Sequence, residues 1–171
     1  YANSNGVTAE IEGNTVYVYT YNLQVIKVNE EKNPLKGAEF ALYTAEEIAK
    51  EKADEKYTPV ALATGTSNED GLVEFKTTNN EVIRLQSGTY YVKETKAPTG
   101  YNRLKDPVEE VISVSEDAAG EKVTYSATYG GEDATMTNGE VNLTAATQSS
   151  GKQPVATGVI ENNSGAELPS T

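Results

Sequence analysis

The chain of 171 residues contains no cysteine, no histidine and no tryptophan. Without cysteine there is neither a disulfide nor a thiol nucleophile. Without histidine the usual base of a catalytic triad and the commonest zinc ligand are gone as well. The missing cysteines do not assign a compartment, because a cytosolic protein and an exported bacterial protein can both lack them. Basic residues are also sparse: 14 Lys and Arg stand against 26 Asp and Glu, a net charge of −12. Such a balance repels a phosphate backbone and offers no basic patch to an anionic membrane, so nucleic acid and membrane surface are not expected partners. No apolar run reaches the ~20 residues that span a bilayer, and no signal peptide is apparent. The first residue is Tyr1 and not methionine, which predicts a fragment or a processed form.

What remains is a composition suited to strands. Eleven Tyr accompany many Thr and Val, and apolar residues make up 37%. "VTAEIE" and "TVYVYTYNLQVIKV" flank Gly13-Asn14 as a hairpin pattern. The second run, Thr15 to Val28, is long for one strand and fits a chain leaving one domain and entering the next. "NPLKGAEFALY", "YTPVALAT", "GLVEFKT", "EVIRL", "GTYYVKET", "PVEEVISVS", "KVTYSATY", "GEVNLTAAT" and "ATGVIEN" read as further strands, each bounded by turn residues. The exception is "TAEEIAKEKADEK", Thr44 to Lys56, a helix with a capping box at Thr44 and Glu47 and a thin apolar face. The pattern predicts an all-β, antiparallel β-sandwich with a short helical insertion.

Three polar residues fall in phase with apolar strand faces. Lys27 follows Leu23 and Val25, Glu94 follows Tyr90 and Val92, and Asn162 follows Ile160. Periodicity leaves their burial open. Ile26 and Val28 make the other face of the first strand apolar too, and the plainer reading puts Lys27 on a wet face, Glu94 at a strand end and Asn162 in a turn. The acidic stretch carrying Glu132, Asp133, Asn138 and Glu140 offers oxygen ligands but matches no calcium-loop spacing, and no metal is expected. Glu109 and Glu110 do not by themselves define a glycosidase pair.

Longer segments carry a family likeness. "LQVIKV…NPLKGAEFALY" resembles the opening of collagen-adhesin B-type (Cna-B) domains. "SGTYYVKETKAPTGY" resembles their E-box, and "VIENNSGAELPST" resembles their last strand followed by a cell-wall sorting motif. The three blocks occur in family order from Leu23 to Thr171. "TVYVYTYNL" is similar to the junction between the middle and last domains of Gram-positive shaft pilins. The resemblance implies an immunoglobulin-like sandwich over residues 22–165, the tail of a preceding domain over 1–21 and a sorting-motif remnant over 166–171.

It also implies function. Leu168, Pro169, Ser170 and Thr171 are what a sortase leaves after cutting Leu-Pro-x-Thr-Gly behind the threonine; truncation at the same boundary would leave the same end. Within the domain, the family pattern implies an isopeptide bond between Lys27 and Asn162. Burial would leave the Lys27 amine neutral and nucleophilic, while Glu94 hydrogen-bonds the Asn162 amide and polarises its carbonyl. Asn163 is an alternative partner one residue out of phase, and Asn22 is a further candidate asparagine, closing the preceding domain instead. The chain is then no enzyme, performs this step once without a cofactor, and serves as a shaft subunit of an extracellular, wall-anchored pilus on a Gram-positive cell. Its expected partners are a pilin-specific sortase and other pilin subunits, joined through Thr171 to a lysine upstream of Tyr1. The alternative is the stalk domain of a wall-anchored adhesin or a tip or basal pilin, with a host surface ligand.

Overall fold

The computed structural model describes residues 7–11, 15–116, 118–119, 122–142 and 153–164. Strands β1 (Val7–Ile11) and β2 (Thr15–Tyr19) pair with each other as an antiparallel two-stranded sheet. The run that continued into "NLQVIKV" breaks after Tyr19, and β3 (Asn22–Val28) joins a different sheet. Tyr21 lies between them, fully buried in the core that holds Leu23 and bridged to Leu85.

Two sheets make the sandwich. The larger contains β4 (Glu39–Thr44), β5 (Ala63–Thr66), β7 (Gly88–Lys96), β8 (Val108–Glu116) and β9 (Lys122–Tyr129), in the order β9-β8-β7-β4-β5. The free side of β9 is shared by two short strands, β10 (Glu132–Asp133) and β12 (Glu140–Asn142). The smaller sheet has the order β11-β13-β3-β6, with β6 (Leu72–Glu74), β11 (Thr135–Thr137) and β13 (Val155–Glu161). Strand alternation turns Leu23 and Val25 of β3, Phe40 and Leu42 of β4, Val92 of β7, Ile112 of β8, and Ala156 and Ile160 of β13 into one core with Val73 and Phe75. Burying each large side chain of this set contributes about 1.5–3 kcal/mol.

Among the described residues the expected antiparallel pairing holds with one exception: β13 lies parallel to β3, with Ile160 opposite Lys27. The two strands are far apart in sequence, so no tight turn forces them antiparallel. "EVIRL" makes no strand of its own. Its residues form single bridges, Val82 with Lys76 and Leu85 with Tyr21, after a tight turn in which Asn80 takes a positive φ of 64°.

The helix α1 (Ala45–Ala53) follows β4 directly and is shorter than "TAEEIAKEKADEK" suggests. Thr44 caps it by accepting from the Glu47 amide at 3.2 Å. The reciprocal half of the box is absent, because the Glu47 carboxylate accepts instead from the Tyr57 hydroxyl at 2.7 Å and the Val60 amide at 2.8 Å. Its one buried side chain, Ile48, packs on Ala41 and Tyr43, which alternation places on the outer face of β4. Among the described residues, no helix is long and apolar enough to cross a membrane.

Candidate functional site

Lys27, Glu94 and Asn162 come from the ends of β3, β7 and β13 and meet inside the sandwich, each no more than 1% exposed. Each arrives by strand alternation, continuing the buried rows Leu23-Val25, Val92 and Ile160. The backbone of Lys27 is held on both sides, its N–H donating to Gly71 O at 2.7 Å and its C=O accepting from Leu35 N at 2.9 Å. Gly71, at φ 76°, makes that approach possible: a Cβ there would stand 2.4 Å from the Lys27 carbonyl oxygen. Asn162 is seated by its own N–H, which donates to Val28 O at 2.9 Å.

The Glu94 carboxyl bridges the other two groups with different oxygens. Oε2 lies 3.5 Å from Lys27 Nζ, while Oε1 accepts from Asn162 Nδ2 at 3.0 Å. Oε1 also accepts from the Leu104 amide at 2.7 Å, and Asn162 Nδ2 donates a second time to Asn102 O at 2.8 Å. With acceptors on both sides of the NH2 group, the orientation of the Asn162 amide is fixed. Glu94 therefore touches the amide nitrogen and not the carbonyl oxygen that the sequence reading had it polarise. Lys27 Nζ, Glu94 Oε2 and Asn162 Oδ1 are buried without a hydrogen bond. The first two face each other only as a long ion pair and the third has no partner, which makes this pocket a costly ground state.

Burial pushes the Lys27 amine down from its ordinary value to about 8, against the opposing pull of Glu94 and of Glu161. The Phe40 ring, its centroid 5.6 Å from Nζ, forms part of the apolar wall. An amine titrating there is about one-tenth neutral at pH 7 and half neutral at pH 8, far more than an ordinary lysine, and only the neutral form has the lone pair a nucleophile needs.

The other candidates are distributed differently. Asn163 is exposed, and its carbonyl accepts from Asn102 N at 3.0 Å. Asn22 sits at the other end of β3 from Lys27. Leu168, Pro169, Ser170 and Thr171 lie outside the described residues. Glu132 and Asp133 are exposed on β10, and Glu140 pairs with Lys122. Glu109 and Glu110 point to opposite faces, the first accepting from Tyr91 at the surface and the second fully buried.

Sequence reasoning missed the segment Asn102–Leu104, which acts through main-chain groups and so leaves no side-chain signature. It also passed over Glu110 as a buried acid, although Val108, Glu110 and Ile112 alternate along β8. Burial lifts the Glu110 carboxyl to about 8, with the Tyr129 hydroxyl opposing the shift.

A family model described as SpaA, prealbumin-like fold domain, matches residues 21–129. No curated protein matches the chain. Among solved structures, the group B streptococcus pilus 2b backbone protein is 22% identical, covering 92% of this chain and 46% of that one, at a TM-score of 0.41. The major pilin subunit BcpA of Bacillus cereus is 22% identical over 88% of this chain and 32% of that one, at 0.42. The C-terminal fragment of the pilus adhesin SpaC from Lactobacillus rhamnosus GG is 19% identical over 97% of this chain and 61% of that one, at 0.43. The chain thus spans less than half the length of the first two.

Proposed function

The chain belongs to the SpaA prealbumin-like fold domain family, and from that premise we propose that it is a structural domain of a Gram-positive surface pilus, closed internally by an isopeptide bond between Lys27 and Asn162. The observation that supports this reading best is the convergence of an amine, a carboxyl and a carboxamide in one apolar pocket, with Lys27 Nζ and Asn162 Oδ1 buried and without a hydrogen bond.

In the proposed reaction the Lys27 Nζ lone pair attacks Cγ of Asn162. Glu94 takes a proton from Nζ at Oε2 and, once Nδ2 becomes basic in the tetrahedral intermediate, passes that same proton on to Nδ2. One proton thus moves from Nζ to the leaving nitrogen, and the carboxyl returns to its starting protonation. The C–Nδ2 bond breaks, one ammonia leaves, and a secondary amide joins the end of β3 to the end of β13. Main-chain groups of Asn102 and Leu104 hold the leaving nitrogen and the relay in place. The fixed geometry replaces a bimolecular encounter. The step occurs once per molecule and is not turnover.

Intact mass spectrometry tests the bond. Wild type should fall one ammonia short of its sequence mass, and digestion should give a branched peptide carrying Lys27 and Asn162. Lys27→Ala and Glu94→Ala should each return the mass expected for the unlinked chain. A wild-type mass equal to the sequence mass rejects the bond.

The "LPST" at 168–171 supports the larger role: a sortase acylated by the Thr171 carbonyl would pass it to a lysine on another subunit, building an extracellular fibre anchored to the wall. Incubating the full-length subunit with its sortase should give a ladder whose junction peptide contains Thr171. Ladders that persist after deletion of Leu168 to Thr171 would remove sortase polymerisation from the proposal.

A further inference from the structure

Asn162 reaches Lys27 in only one register of β13 against β3. A slip of one residue turns Asn162 to solvent, and a slip of two places Ile160 or Ser164 where the carboxamide belongs. Parallel pairing supplies no tight turn to fix the register, and β11 pairs only with Val155 to Thr157. Something else must choose it.

The inward face of β13 reads Ala156, Gly158, Ile160, Asn162, and a glycine inside a strand weakens it unless another group needs the space. Here that group is the buried Tyr129 from the end of β9 in the opposite sheet. A Cβ on Gly158 would stand 2.0 Å from Cδ2 and 2.4 Å from Cε2 and Cγ of the Tyr129 ring. The ring thus lies directly on the β13 backbone. Its hydroxyl extends to Gln24 O on β3 at 3.3 Å, so one side chain touches both strands of the parallel pair. A slip of two residues would put Ala156 or Ile160 beneath the ring, and each carries the Cβ that does not fit.

We propose that Gly158 and the Tyr129 ring form a register key, a positioning pair that seats β13 so that Asn162 arrives at Lys27 and Glu94. The proposal rests on the isopeptide reading for what is positioned, but the seating itself is independent of whether the bond forms. Asn162 lies four residues beyond Gly158, about 13 Å along the strand, so the pair touches none of the reacting atoms.

The test compares wild type, Gly158→Ala, Tyr129→Ala, the double variant, and Gly65→Ala as a control. Gly65 is also crowded, a Cβ there standing 2.4 Å from Glu74 O, but it lies on β5, which pairs with β4 and not with β13. The readout is the rate of ammonia loss by intact mass in freshly synthesised, pulse-labelled chains, because a chain already linked has no second ammonia to lose. Gly158→Ala should slow linking on the order of 10²-fold, the effect of a misplacement of ~1 Å. The double variant, lacking the colliding ring atoms, should regain at least about tenfold of that loss, while Gly65→Ala should lose thermal stability yet link at the wild-type rate. Linking in Gly158→Ala at the wild-type rate would overturn the key, as would equal slowing in Gly65→Ala. If Gly158→Ala does not fold, the double variant decides: folding and linking support the key, and its failure where Tyr129→Ala alone succeeds overturns it. Should wild type itself prove unlinked, the isopeptide reading fails separately. The key is then read from hydrogen exchange of the Ile160 and Asn162 amides, whose protection should fall in Gly158→Ala and return in the double variant; unchanged protection would reject it.

Discussion

Burial penalises whichever form of a side chain is charged, so it moves a buried amine and a buried carboxyl of this core in opposite directions. It brings the Lys27 amine down to about 8 and lifts the Glu110 carboxyl to about 8. Lys27 would leave the titration once acylated, whereas Glu110 has no such exit. Around Glu110 stand Tyr129, opposite it on β9, Tyr90 on β7 and Tyr21 before β3. All three phenols are pushed above their ordinary value, chiefly by burial, and stay neutral in the range that matters. Between the ordinary carboxyl value of 4.5 and about 8, the folded state keeps a proton on Glu110 that the unfolded state releases. Stability therefore falls as pH rises across that window, by about 1.4 kcal/mol per unit at the steepest, and levels off above it. Melting followed by circular dichroism from pH 5 to 9 should show this decline in wild type and a flatter profile in Glu110→Gln. Parallel profiles for the two proteins would mean that Glu110 is ionised in the fold.

Helix α1 is tied to β7 of the sandwich by Glu51, which pairs with Lys93 at 3.2 Å, and to the chain that follows it by Glu47. Its carboxylate ties the helix to the returning chain through Val60 and Tyr57 and pairs with Lys50, and together these hold it near pH 2. That depression means the contribution is present above the ordinary carboxyl range and is lost as pH falls through about 2. Glu47→Gln should therefore loosen residues 54–60 at neutral pH, seen as faster nicking there by a protease, while ammonia loss at Lys27 stays complete. Unchanged nicking would show that Ile48 and Thr44 hold the helix without it. The helix illustrates what the sequence carries. Thr44 and Glu47 announce the start because capping is local, but the partner of the Glu47 carboxylate lies ten and thirteen residues on and cannot be read from spacing. The same division holds for the strands. Alternation put Lys27, Glu94 and Asn162 in phase with apolar rows but left the inward face of β3 open, since Ile26 and Val28 are apolar too, and the family likeness named the triad. The parallel pairing of β3 with β13 depends on contacts between chain ends, and the roles of Asn102 and Leu104 depend on main-chain groups that every residue possesses. "EVIRL" misled because Val, Ile and Leu suit a strand, while its neighbours left it only single bridges.

A bond from Lys27 to Asn162 would tie the first strand of the sandwich to its last and close a loop of about 135 residues. Because β3 and β13 are adjacent and parallel, a pull applied to the two ends of the domain would run through that bond before it reached most of the ladder between the sheets. The same tie limits the unfolded chain, and the loop-closure estimate developed for disulfides puts its worth at about 5 kcal/mol. Measuring that contribution requires removing the bond without leaving a buried group unpaired. Lys27→Ala fails this condition, since it opens a cavity and strips Glu94 of its countercharge, so its loss combines two effects. Lys27→Met together with Glu94→Gln comes closer, exchanging a buried charge for a single neutral NH2. Methionine fills the lysine stem's space without a charge, and the carbonyl of the introduced glutamine can still accept from Leu104 and Asn162 as Glu94 does. For a domain of this size the double variant should melt roughly 10–20 °C below wild type. Lys27→Ala should melt lower still, with both proteins retaining the sequence mass expected for an unlinked chain. A double variant melting within a few degrees of a fully linked wild type would show that the bond carries load without contributing to equilibrium stability.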